Sequence, residues 1–329
     1  MNKKNNTFEE IWDAILKAKT IVIGMHKRPD LDTAASALAL AKVLKTKGKD
    51  VTVLSIDNLG PISGLFDTTQ IIIVDPAQFN FSGADLYIAP DVSEEYRVSN
   101  DTSFSAPVKK IRIDHHPDST LWGDLNYVDP SSSSVAGIVF DMFSKVGVPI
   151  DSELATLLLA GMLGDTGFFQ NSNTKVSDLE TAVKLMKSGA NLPKLVWDIK
   201  FHDGLELFKL QEVVFKNLKV DQDRKYGYSH VSLAEKKEFG MEPDYQHHTL
   251  ADYIKTLDGV DFVFTTIELP TGKFKVSFRA RTLGFDTTVF ANPLGGGGHP
   301  AASAVELEAK TVDEAIKLVK DKIAEVLRY

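Results

Sequence analysis

The stretch KKIRIDHHP, residues 109–117, begins as a short strand and ends in a cluster of polar side chains. Apolar and basic residues alternate at first, and Asp114, His115 and His116 then precede a proline. Proline has no backbone N–H to donate to a sheet, so the strand must end at this point. Ligands bind at the carboxyl ends of the strands in open parallel sheets, and the triplet is expected there. Two solvated imidazoles in a surface loop would give the same pattern, so a metal-binding role depends on the rest of the chain.

Composition limits the kinds of site that the chain can build. Its 329 residues are enough for two domains with separate cores, and its hydrophobic content of 43% and charged content of 25% are those of ordinary globular proteins. The sequence contains no cysteine, which excludes disulfides, thiolate zinc sites, iron–sulfur clusters and a cysteine nucleophile. Any metal must therefore be held by histidines and carboxylates, a ligand set that suits manganese or magnesium.

Charge and hydropathy restrict the partners. The net charge of -8 argues against a protein that coats long nucleic acid, because that mode needs a broad basic face. A local basic pocket for a short anionic substrate is still allowed. No apolar run is long enough to span a bilayer, and the first residues lead into an amphipathic helix without the apolar core of a signal peptide. We expect a cytoplasmic protein without a membrane partner.

Hydrophobic periodicity predicts an α/β fold with two domains. In the first half, apolar runs typical of strands buried in a parallel sheet alternate with stretches of helical period. In the second half, strands alternate between apolar and polar residues, as in a sheet with one covered face. The prediction is an N-terminal domain with a doubly wound, mainly parallel sheet (residues 1–190), a helical linker (191–219) and a smaller C-terminal α/β domain with a mixed sheet (220–329). The predicted strands of the first domain are residues 20–25, 51–56, 70–74, 86–90 and 109–113.

Acidic residues and histidines follow several of these strands. A doubly wound sheet gathers the carboxyl ends of its strands at one edge. Carboxylates that share a site repel one another unless cations fill it, and two divalent ions bridged by one carboxylate would do so. Solvated turns and helix caps would account for the same acids one at a time. The candidates are His26, Asp30 and Asp32 after the first strand, Asp75 and Asp91 after two later ones, the triplet at 114–116, and Asp165 near the end of a predicted helix.

A run of four glycines, residues 295–298, directly precedes His299. Without side chains, backbone N–H groups can approach a ligand closely. A flexible linker would also be rich in glycine. The histidine after the run, and Arg279 on a nearby predicted strand, favour a loop that recognises phosphate.

Together these motifs resemble the DHH superfamily of phosphoesterases. The family's His-x-x-x-Pro-Asp-x-Asp loop matches residues 26–32, its name-giving triplet matches residues 114–116, and its Gly-x-x-x-Asp-Thr-Gly-x-Phe motif matches residues 161–169. The Gly-Gly-Gly-His motif of the DHH-associated C-terminal domain matches residues 296–299, preceded by a Ser-x-Arg strand at 277–279. The motifs occur in the family's order and cover nearly the whole chain.

The resemblance implies a role for each matching residue. His116 would lie beside the scissile phosphate as an electrostatic stabiliser or proton donor, and Asp114 would orient the neighbouring imidazole. Asp32 joins these two as a catalytic residue and is also a metal ligand. The implied ligands are His26, Asp30 and Asp91 for one ion and Asp32, Asp91, His115 and Asp165 for the other. The implied substrate-binding residues are Ser277, Arg279, Gly296, Gly297, Gly298 and His299, with Arg279 and His299 on the terminal phosphate or nucleotide.

The bridging ligand is not decided by the residues alone, because Asp75 and Asp91 both end apolar strands. The family's acid lies shortly before an arginine and one strand ahead of the triplet. This pattern fits Asp91 with Arg97. We therefore take Asp91 as the bridge and keep Asp75 as the alternative.

The implied function is that of a phosphoesterase with two divalent metal ions, Mn²⁺ by preference and Mg²⁺ as the alternative. By its length and the absence of extra domains, the chain is most similar to the oligoribonuclease and 3′-phosphoadenosine-5′-phosphate (pAp) phosphatase subgroup, which removes mononucleotides from very short oligonucleotides. A phosphodiesterase of cyclic or linear dinucleotides would use the same site. A catalytically silent nucleotide-binding regulator is the alternative from another class, and the sequence leaves a homodimer open.

Overall fold

The computed structural model describes residues 5–116, 120–201, 204–245 and 250–327. The chain divides into two compact units, Met1–His202 and Asp203–Tyr329. The division falls inside the stretch that the sequence assigns to a helical linker, and the domain bounds given above stay a prediction. Among the described residues, no helix is both long enough and apolar enough to cross a membrane.

The first unit is built on a sheet of six parallel strands in the order β3-β2-β1-β4-β5-β6. The strand order reverses between β1 and β4, so the loops that follow these two strands diverge and leave a crevice at their carboxyl ends. This crevice is where a doubly wound sheet binds ligands. The strands are β1 Thr20–Gly24, β2 Asp50–Ser55, β3 Ile71–Ile73, β4 Leu86–Pro90, β5 Lys109–Asp114 and β6 Leu125–Val128.

Among the described residues of this unit, helices α1, α2 and α3 contact the sheet, α4 packs on α2 and α3, and α5 and α6 pack on α4. Alanine-rich α2 is buried along most of its length, and its small side chains let neighbouring helices pack closely against it. α3 and α4 are likewise buried and carry few polar residues, so this side of the unit is a continuous apolar core. The helices are α1 Phe8–Lys17, α2 Leu31–Thr46, α3 Val135–Lys145, α4 Ser152–Asp165, α5 Val176–Lys187 and α6 Leu192–Lys200.

The edges of the first sheet differ from the sequence prediction. Strand β3 is an edge strand whose Ile72 and Ile73 are about half exposed, so the expectation of a buried strand was wrong there. Apolar composition alone does not distinguish an edge from a centre. Strand β6, at the opposite edge, was not predicted, because its four residues include two polar or amphipathic ones.

The second unit is built on a mixed sheet in the order β11-β12-β10-β9-β8-β7, in which β8 and β9 are parallel and the other neighbours antiparallel. Helices α7 and α9 pack on one face and α11 on the other, so β9 is buried on both faces and the expectation of one covered face was wrong. The predicted α/β class, with a parallel sheet first and a mixed sheet second, is confirmed. The elements are α7 Leu205–Lys216, β7 Lys219–Asp221, β8 Tyr226–Val231, α8 Leu233–Glu238, α9 Leu250–Ile254, β9 Phe262–Glu268, β10 Lys273–Ala280, α10 Thr288–Ala291, β11 Gly297–His299, β12 Ala302–Glu308 and α11 Val312–Val326.

Candidate active site

The candidate residues of the first unit follow three neighbouring strands of the sheet. The loop that begins at His26 follows β1, Asp91 follows β4, and the triplet at 114–116 closes β5. A fourth contribution comes from Asp165, the last residue of α4. The strand order therefore brings together residues that are up to 139 positions apart in the chain, as the sequence predicted.

Helix α2 is anchored at the site by two acids of its first turn. Asp30 is its N-cap and accepts a hydrogen bond from the Thr33 backbone N–H at 2.9 Å. Asp32 has no exposed surface, and its two oxygens accept the backbone N–H groups of Val135 and Ala136 at 2.6 and 2.9 Å. These two amides begin α3, where the helix dipole favours a negative charge. Asp32 therefore joins α2 to α3, and its remaining lone pairs can face a cation.

Helix α4 needs a glycine to approach this pair of helices. A Cβ atom on Gly161 would lie 2.8 Å from Asp32 Oδ1 and 2.6 Å from Ala136 Cβ, closer than real side chains pack. The glycine at the start of the Gly-x-x-x-Asp motif thus sets how deeply α4 packs. Its C-terminal residue, Asp165, is thereby carried to the site.

The first group of candidate metal ligands is His26, Asp30 and Asp91, with one ligand atom from each lying within 4.8 Å of the others. His26 Nε2 lies 3.7 Å from Asp30 Oδ2 and 3.5 Å from Asp91 Oδ2. Its Nδ1 lies 2.8 Å from the carbonyl oxygen of Lys27 and must donate to it. Nε2 is therefore the ring nitrogen that faces the carboxylates, and it is the atom that would bind a metal ion in place of a proton.

The second group is Asp32, His115 and Asp165, again within 4.8 Å. His115 Nε2 lies 3.1 Å from Asp165 Oδ2 and 3.7 Å from Asp91 Oδ1. Its Nδ1 lies 3.3 Å from the carbonyl oxygen of Ser132, so Nε2 faces the cluster, as in His26. A third overlapping group joins Asp91 to the two histidines of the triplet. Asp91 thus lies between the two predicted ligand sets.

Asp91 has the environment expected of a ligand shared by two cations. It is the residue after β4, it has a left-handed backbone with φ of 60°, and it is 97% buried, since only 3% of its surface is exposed. Oδ2 accepts a hydrogen bond from the Thr33 hydroxyl, whereas Oδ1 is buried and accepts no hydrogen bond from any described residue. Burying a carboxylate oxygen without a donor is costly unless a cation compensates it. The donor set, oxygen and imidazole nitrogen only, fits divalent metal ions.

Asp75, the alternative bridge, lies in a different environment. Its carboxylate accepts hydrogen bonds from the backbone N–H groups of Ala77 and Asn100, both at 3.0 Å, and from the Ser99 hydroxyl at 2.5 Å. It belongs to none of the candidate metal groups found among the described residues. The structure therefore gives Asp75 the role of capping a short helical turn.

The pKa values of the cluster are shifted by burial and by the charges of its neighbouring carboxylates. Burial, followed by the negative charges of Asp30 and Asp91, raises the pKa of Asp165 to about 6 even though His115 opposes the shift. Burial lowers the pKa of His115, but the Asp165 hydrogen bond and the surrounding carboxylates outweigh it and raise the pKa to about 10. Burial and the charges of Asp165 and Asp91 also raise the pKa of Asp32 well above its usual range. Bound cations would relieve this repulsion.

Both carboxylate oxygens of Asp114 accept hydrogen bonds, and each oxygen has different donors. Its Oδ2 accepts from the guanidinium of Arg112, through Nε at 3.2 Å and through Nη2. Its Oδ1 accepts from His116 Nδ1 at 2.8 Å and from the His115 backbone N–H at 2.7 Å. Burial alone would raise the pKa of Asp114, but His116 and Arg112 hold it well below its usual range. Asp114 is therefore ionised and positioned to orient the His116 ring, as the resemblance implies.

Two residues of this site were not singled out from the sequence. In the sequence, Arg112 is one of several basic residues in an alternating strand. It lies two residues before Asp114, so both side chains are on the same face of β5. That spacing was the available signal. Thr33 donates a hydrogen bond to Asp91, but nothing in the sequence distinguishes it from an ordinary helix residue.

The candidate substrate-binding residues lie on neighbouring strands of the second sheet. Arg279 of β10 and His299 of β11 both pair with Ala302 of β12, and Ser277 and Gly297 both pair with Ala304. Residues directly opposite in antiparallel strands point to the same face, so Arg279 and His299 share a face with their backbones two strand spacings, about 10 Å, apart.

The contacts of these residues add detail that the sequence did not predict. Arg279 Nε lies 3.1 Å from Asp252 Oδ2, an ion pair not foreseen from the sequence. His299 is exposed, whereas Ser277 is buried. Gly298 has φ of 141°, and a Cβ atom there would lie 2.5 Å from the Ala302 carbonyl oxygen, so strand pairing itself requires this glycine.

The chain is similar to known proteins over most of its length. Residues 20–162 match the family model described as the N-terminal domain of the DHH family, and residues 238–325 match the DHHA1 domain. A probable bifunctional oligoribonuclease and PAP phosphatase of Streptococcus mutans is 28% identical over 312 residues, covering 94% of this chain and 96% of the relative. A bifunctional oligoribonuclease and PAP phosphatase of Thermus thermophilus is 30% identical over 311 residues, covering 93% of this chain and 90% of the relative.

Among solved structures, an exopolyphosphatase-related protein from Bacteroides fragilis superposes with a TM-score of 0.88 at 22% identity, covering 97% of this chain and 95% of that one. This likeness concerns the fold alone. The family resemblance read from the sequence motifs is confirmed by the two matching domains and by the full-length relatives. The chain belongs to the DHH family.

Proposed function

We propose that the protein is a metal-dependent phosphoesterase. Its substrates would be short oligonucleotides, which it hydrolyses to mononucleotides, or pAp, or both. The observation that carries the proposal is the position of Asp91, whose buried carboxylate lies between two groups of metal-ligand type and has one oxygen without a hydrogen-bond donor among the described residues. The names of the two full-length relatives support this substrate class. The net charge of -8 favours a small anionic substrate held locally over a long strand.

The ligands that we propose for the two metal ions are those implied by the sequence. Bound divalent ions would lower the pKa of a water molecule and stabilise charge on the phosphoryl oxygens. Mn²⁺ is the ion we expect, with Mg²⁺ as the alternative, because carboxylates and imidazoles are its usual ligands. The first set is His26, Asp30 and Asp91, and the second set is Asp32, Asp91, His115 and Asp165.

The protein's own groups would orient the reaction. The backbone carbonyls of Lys27 and Ser132 accept from Nδ1 of His26 and His115, so each ring presents Nε2 to the cluster. Asp114 accepts the Nδ1 proton of His116, which leaves Nε2 of that ring as the atom that can stabilise or protonate a phosphoryl or leaving-group oxygen. The buried Arg112 keeps Asp114 ionised, so this orientation does not depend on solvent.

The second unit would recognise the substrate's phosphate. Arg279 and His299 offer nitrogen donors on one face of its sheet, and a guanidinium binds phosphate through directed, charge-assisted hydrogen bonds. Arg279 is paired with Asp252, so a phosphate would compete with this carboxylate. Ser277 and the glycines 296–298 complete the proposed substrate-binding set.

Two alternatives make different predictions. A phosphodiesterase of cyclic or linear dinucleotides would use the same cluster on another substrate. A silent regulator would bind nucleotide without turning it over. The experiment is to measure mononucleotide or phosphate release, with Mn²⁺ or Mg²⁺, from a short oligoribonucleotide, pAp, linear diadenylate and cyclic diadenylate in parallel.

The matched variants are Asp165→Asn, which removes a proposed ligand, and Asp13→Asn, which changes an exposed acid of α1. We expect release from the oligoribonucleotide or pAp by the native protein and by Asp13→Asn, and none by Asp165→Asn. Turnover of cyclic diadenylate alone would favour the dinucleotide phosphodiesterase. Nucleotide binding without release from any substrate would favour the silent regulator.

A further inference from the structure

The backbone carbonyl of Asp165 accepts its hydrogen bonds from side chains. Asp165 is the last residue of α4, and the carbonyls of a helix's last turn have no partner within the helix. The Asp165 carbonyl oxygen accepts from Nδ2 of Asn171 and from Nδ2 of Asn173, each at 3.1 Å. In a continuing helix the Phe169 N–H would donate to this oxygen, but it donates to the Thr166 hydroxyl. Two asparagines of the following loop therefore replace the helical hydrogen bond.

Asn173 also contacts the loop that precedes α3. Its Nδ2 lies 3.3 Å from the Ser133 carbonyl oxygen, so its two N–H groups donate to two separate segments of backbone. In the opposite direction, the Asn173 carbonyl oxygen accepts from the Ser133 hydroxyl at 2.6 Å. An amide oxygen in the place of Nδ2 would face two carbonyl oxygens, which fixes the orientation of the side chain. Asn173 thus joins the end of α4 to the loop before α3.

Asp178, in the first turn of α5, supports the same junction from below the surface. Its Oδ2 lies 2.6 Å from the Ser133 hydroxyl oxygen and accepts the Lys175 backbone N–H at 2.7 Å. Asp178 and Ser133 are buried, whereas Asn173 is exposed. A substitution of Asn173 therefore removes the contact between the two segments without changing a residue of the core.

The two segments that Asn173 joins support the second group of candidate metal ligands, Asp32, His115 and Asp165. The carbonyl oxygen of Ser132, in the loop before α3, lies 3.3 Å from His115 Nδ1. The two N–H groups that follow this loop, at the start of α3, donate to Asp32. Asp165 itself carries the carbonyl that accepts from Asn173. One side chain is therefore connected to the supports of all three ligands.

The first group of ligands has other supports. His26 Nδ1 donates to the Lys27 carbonyl, and Asp91 accepts from the Thr33 hydroxyl. Neither contact involves a segment that Asn173 joins. We propose that Asn173 is a positioning residue for the second metal ion, because it holds together the backbone segments that support three of that ion's ligands. The inference rests on the metal centre of the proposed function.

Calorimetric titration of the full chain with Mn²⁺, with the two ions fitted separately, tests the proposal. We expect the native protein to bind two ions. Asn173→Leu keeps the approximate size of the side chain but removes both donors. It should weaken one of the two ions about 10- to 100-fold, the usual effect of losing a group that orients a metal ligand, and leave the other near its native affinity. Ser172→Ala, which changes an exposed residue of the same loop, should bind both ions as the native protein does.

Double variants identify the ion that Asn173 affects. In an Asp30→Asn background, which removes a ligand of the first ion, Asn173→Leu should still weaken the remaining ion about 10- to 100-fold. In an Asp165→Asn background, which removes a ligand of the second ion, it should have little further effect on the remaining one. The opposite pattern would assign Asn173 to the first ion and overturn the proposal.

Asn171→Ala separates the junction from the cap. Asn171 donates to the same Asp165 carbonyl, so its loss should weaken the second ion less than Asn173→Leu does, because the Asn173 contacts stay in place. Thermal denaturation of the metal-free variants would establish that each is folded. Two ions bound by Asn173→Leu as tightly as by the native protein, or weakened equally, would overturn this inference and leave the metal centre intact. A native protein that binds no Mn²⁺ would refute the metal centre itself, and the inference with it.

Discussion

Arg112 and Asp114 form an ion pair with no exposed surface in the interior of the first unit, and both lie on the same face of β5. The guanidinium contacts one carboxylate oxygen, and the other oxygen holds the His116 ring at 2.8 Å. A chain of contacts therefore runs from a buried strand residue to the imidazole proposed to act at the phosphate. Arg112 would act on catalysis only through this chain, as a positioning residue.

Removing Arg112 should destabilise the protein strongly. Arg112→Leu leaves Asp114 charged and buried without its partner, a change that typically costs about 3–5 kcal/mol in the free energy of unfolding. Urea denaturation of the metal-free protein, followed by circular dichroism, measures the difference. Arg112→Lys, which retains a cation, should lose less. Equal stability of the leucine variant and the native protein would show that this ion pair is not a determinant of the fold.

Because of Asp114, the free energy of unfolding should fall as the pH is lowered below about 4. Its pKa is held below the unfolded value of about 3.9, so the ionised form stabilises the folded state above about pH 4, and this contribution is lost as the pH falls towards the folded pKa. The stability difference between the native protein and Asp114→Asn should be constant between about pH 7 and 5 and shrink below about pH 4. Urea denaturation of both proteins across this range measures it. A difference that grows in acid would reverse the assigned direction.

His116 should affect the chemical step more than binding. Replacing a positioned proton donor typically lowers the rate by a factor of about 100 to 10,000. We expect His116→Gln to reduce kcat in this range with a much smaller change in KM, and Mn²⁺ affinity to stay near that of the native protein. Steady-state kinetics and calorimetric metal titration test both parts. A loss of metal binding equal to that of a ligand variant would place His116 among the ligands.

The fold followed from the sequence where one physical signal dominated. Apolar runs located β1, β2 and β4, because strands buried on both faces have few polar residues, whereas alternating basic and apolar residues located β5. The same signal failed at β3, since an edge strand can be just as apolar. At the site, strand ends indicated which acids converge, but Asp75 and Asp91 could not be separated by composition. Their hydrogen bonds separate them, and these depend on residues distant in sequence, such as Ser99.

Asp91 and Asp75 should respond differently to the same substitution. Asp91→Asn should lower Mn²⁺ affinity on the order of 100-fold or more, because Asp91 belongs to both proposed ligand sets. Asp75→Asn should leave metal affinity unchanged and cost about 1 kcal/mol in stability, because its amide nitrogen cannot accept the hydrogen bond that Oδ2 receives from the Asn100 N–H. Isothermal titration calorimetry and thermal denaturation separate the two effects. Loss of metal binding in the Asp75 variant would restore Asp75 as the bridge.

Arg279 and Asp252 should control substrate affinity in opposite directions. Arg279→Ala removes a charged donor to phosphate, worth about 1.5–3 kcal/mol, so KM should rise roughly 10- to 100-fold with little change in kcat. Asp252→Asn removes the carboxylate that competes with the phosphate for the guanidinium, so KM should fall. Lys255→Ala removes the other cation paired with Asp252 and leaves the Arg279 contact in place, so it is the matched control for this cluster. Kinetics with pAp as substrate measure all three. If Asp252→Asn raised KM as much as Arg279→Ala, the carboxylate would be orienting the guanidinium towards the phosphate and would not be competing with it.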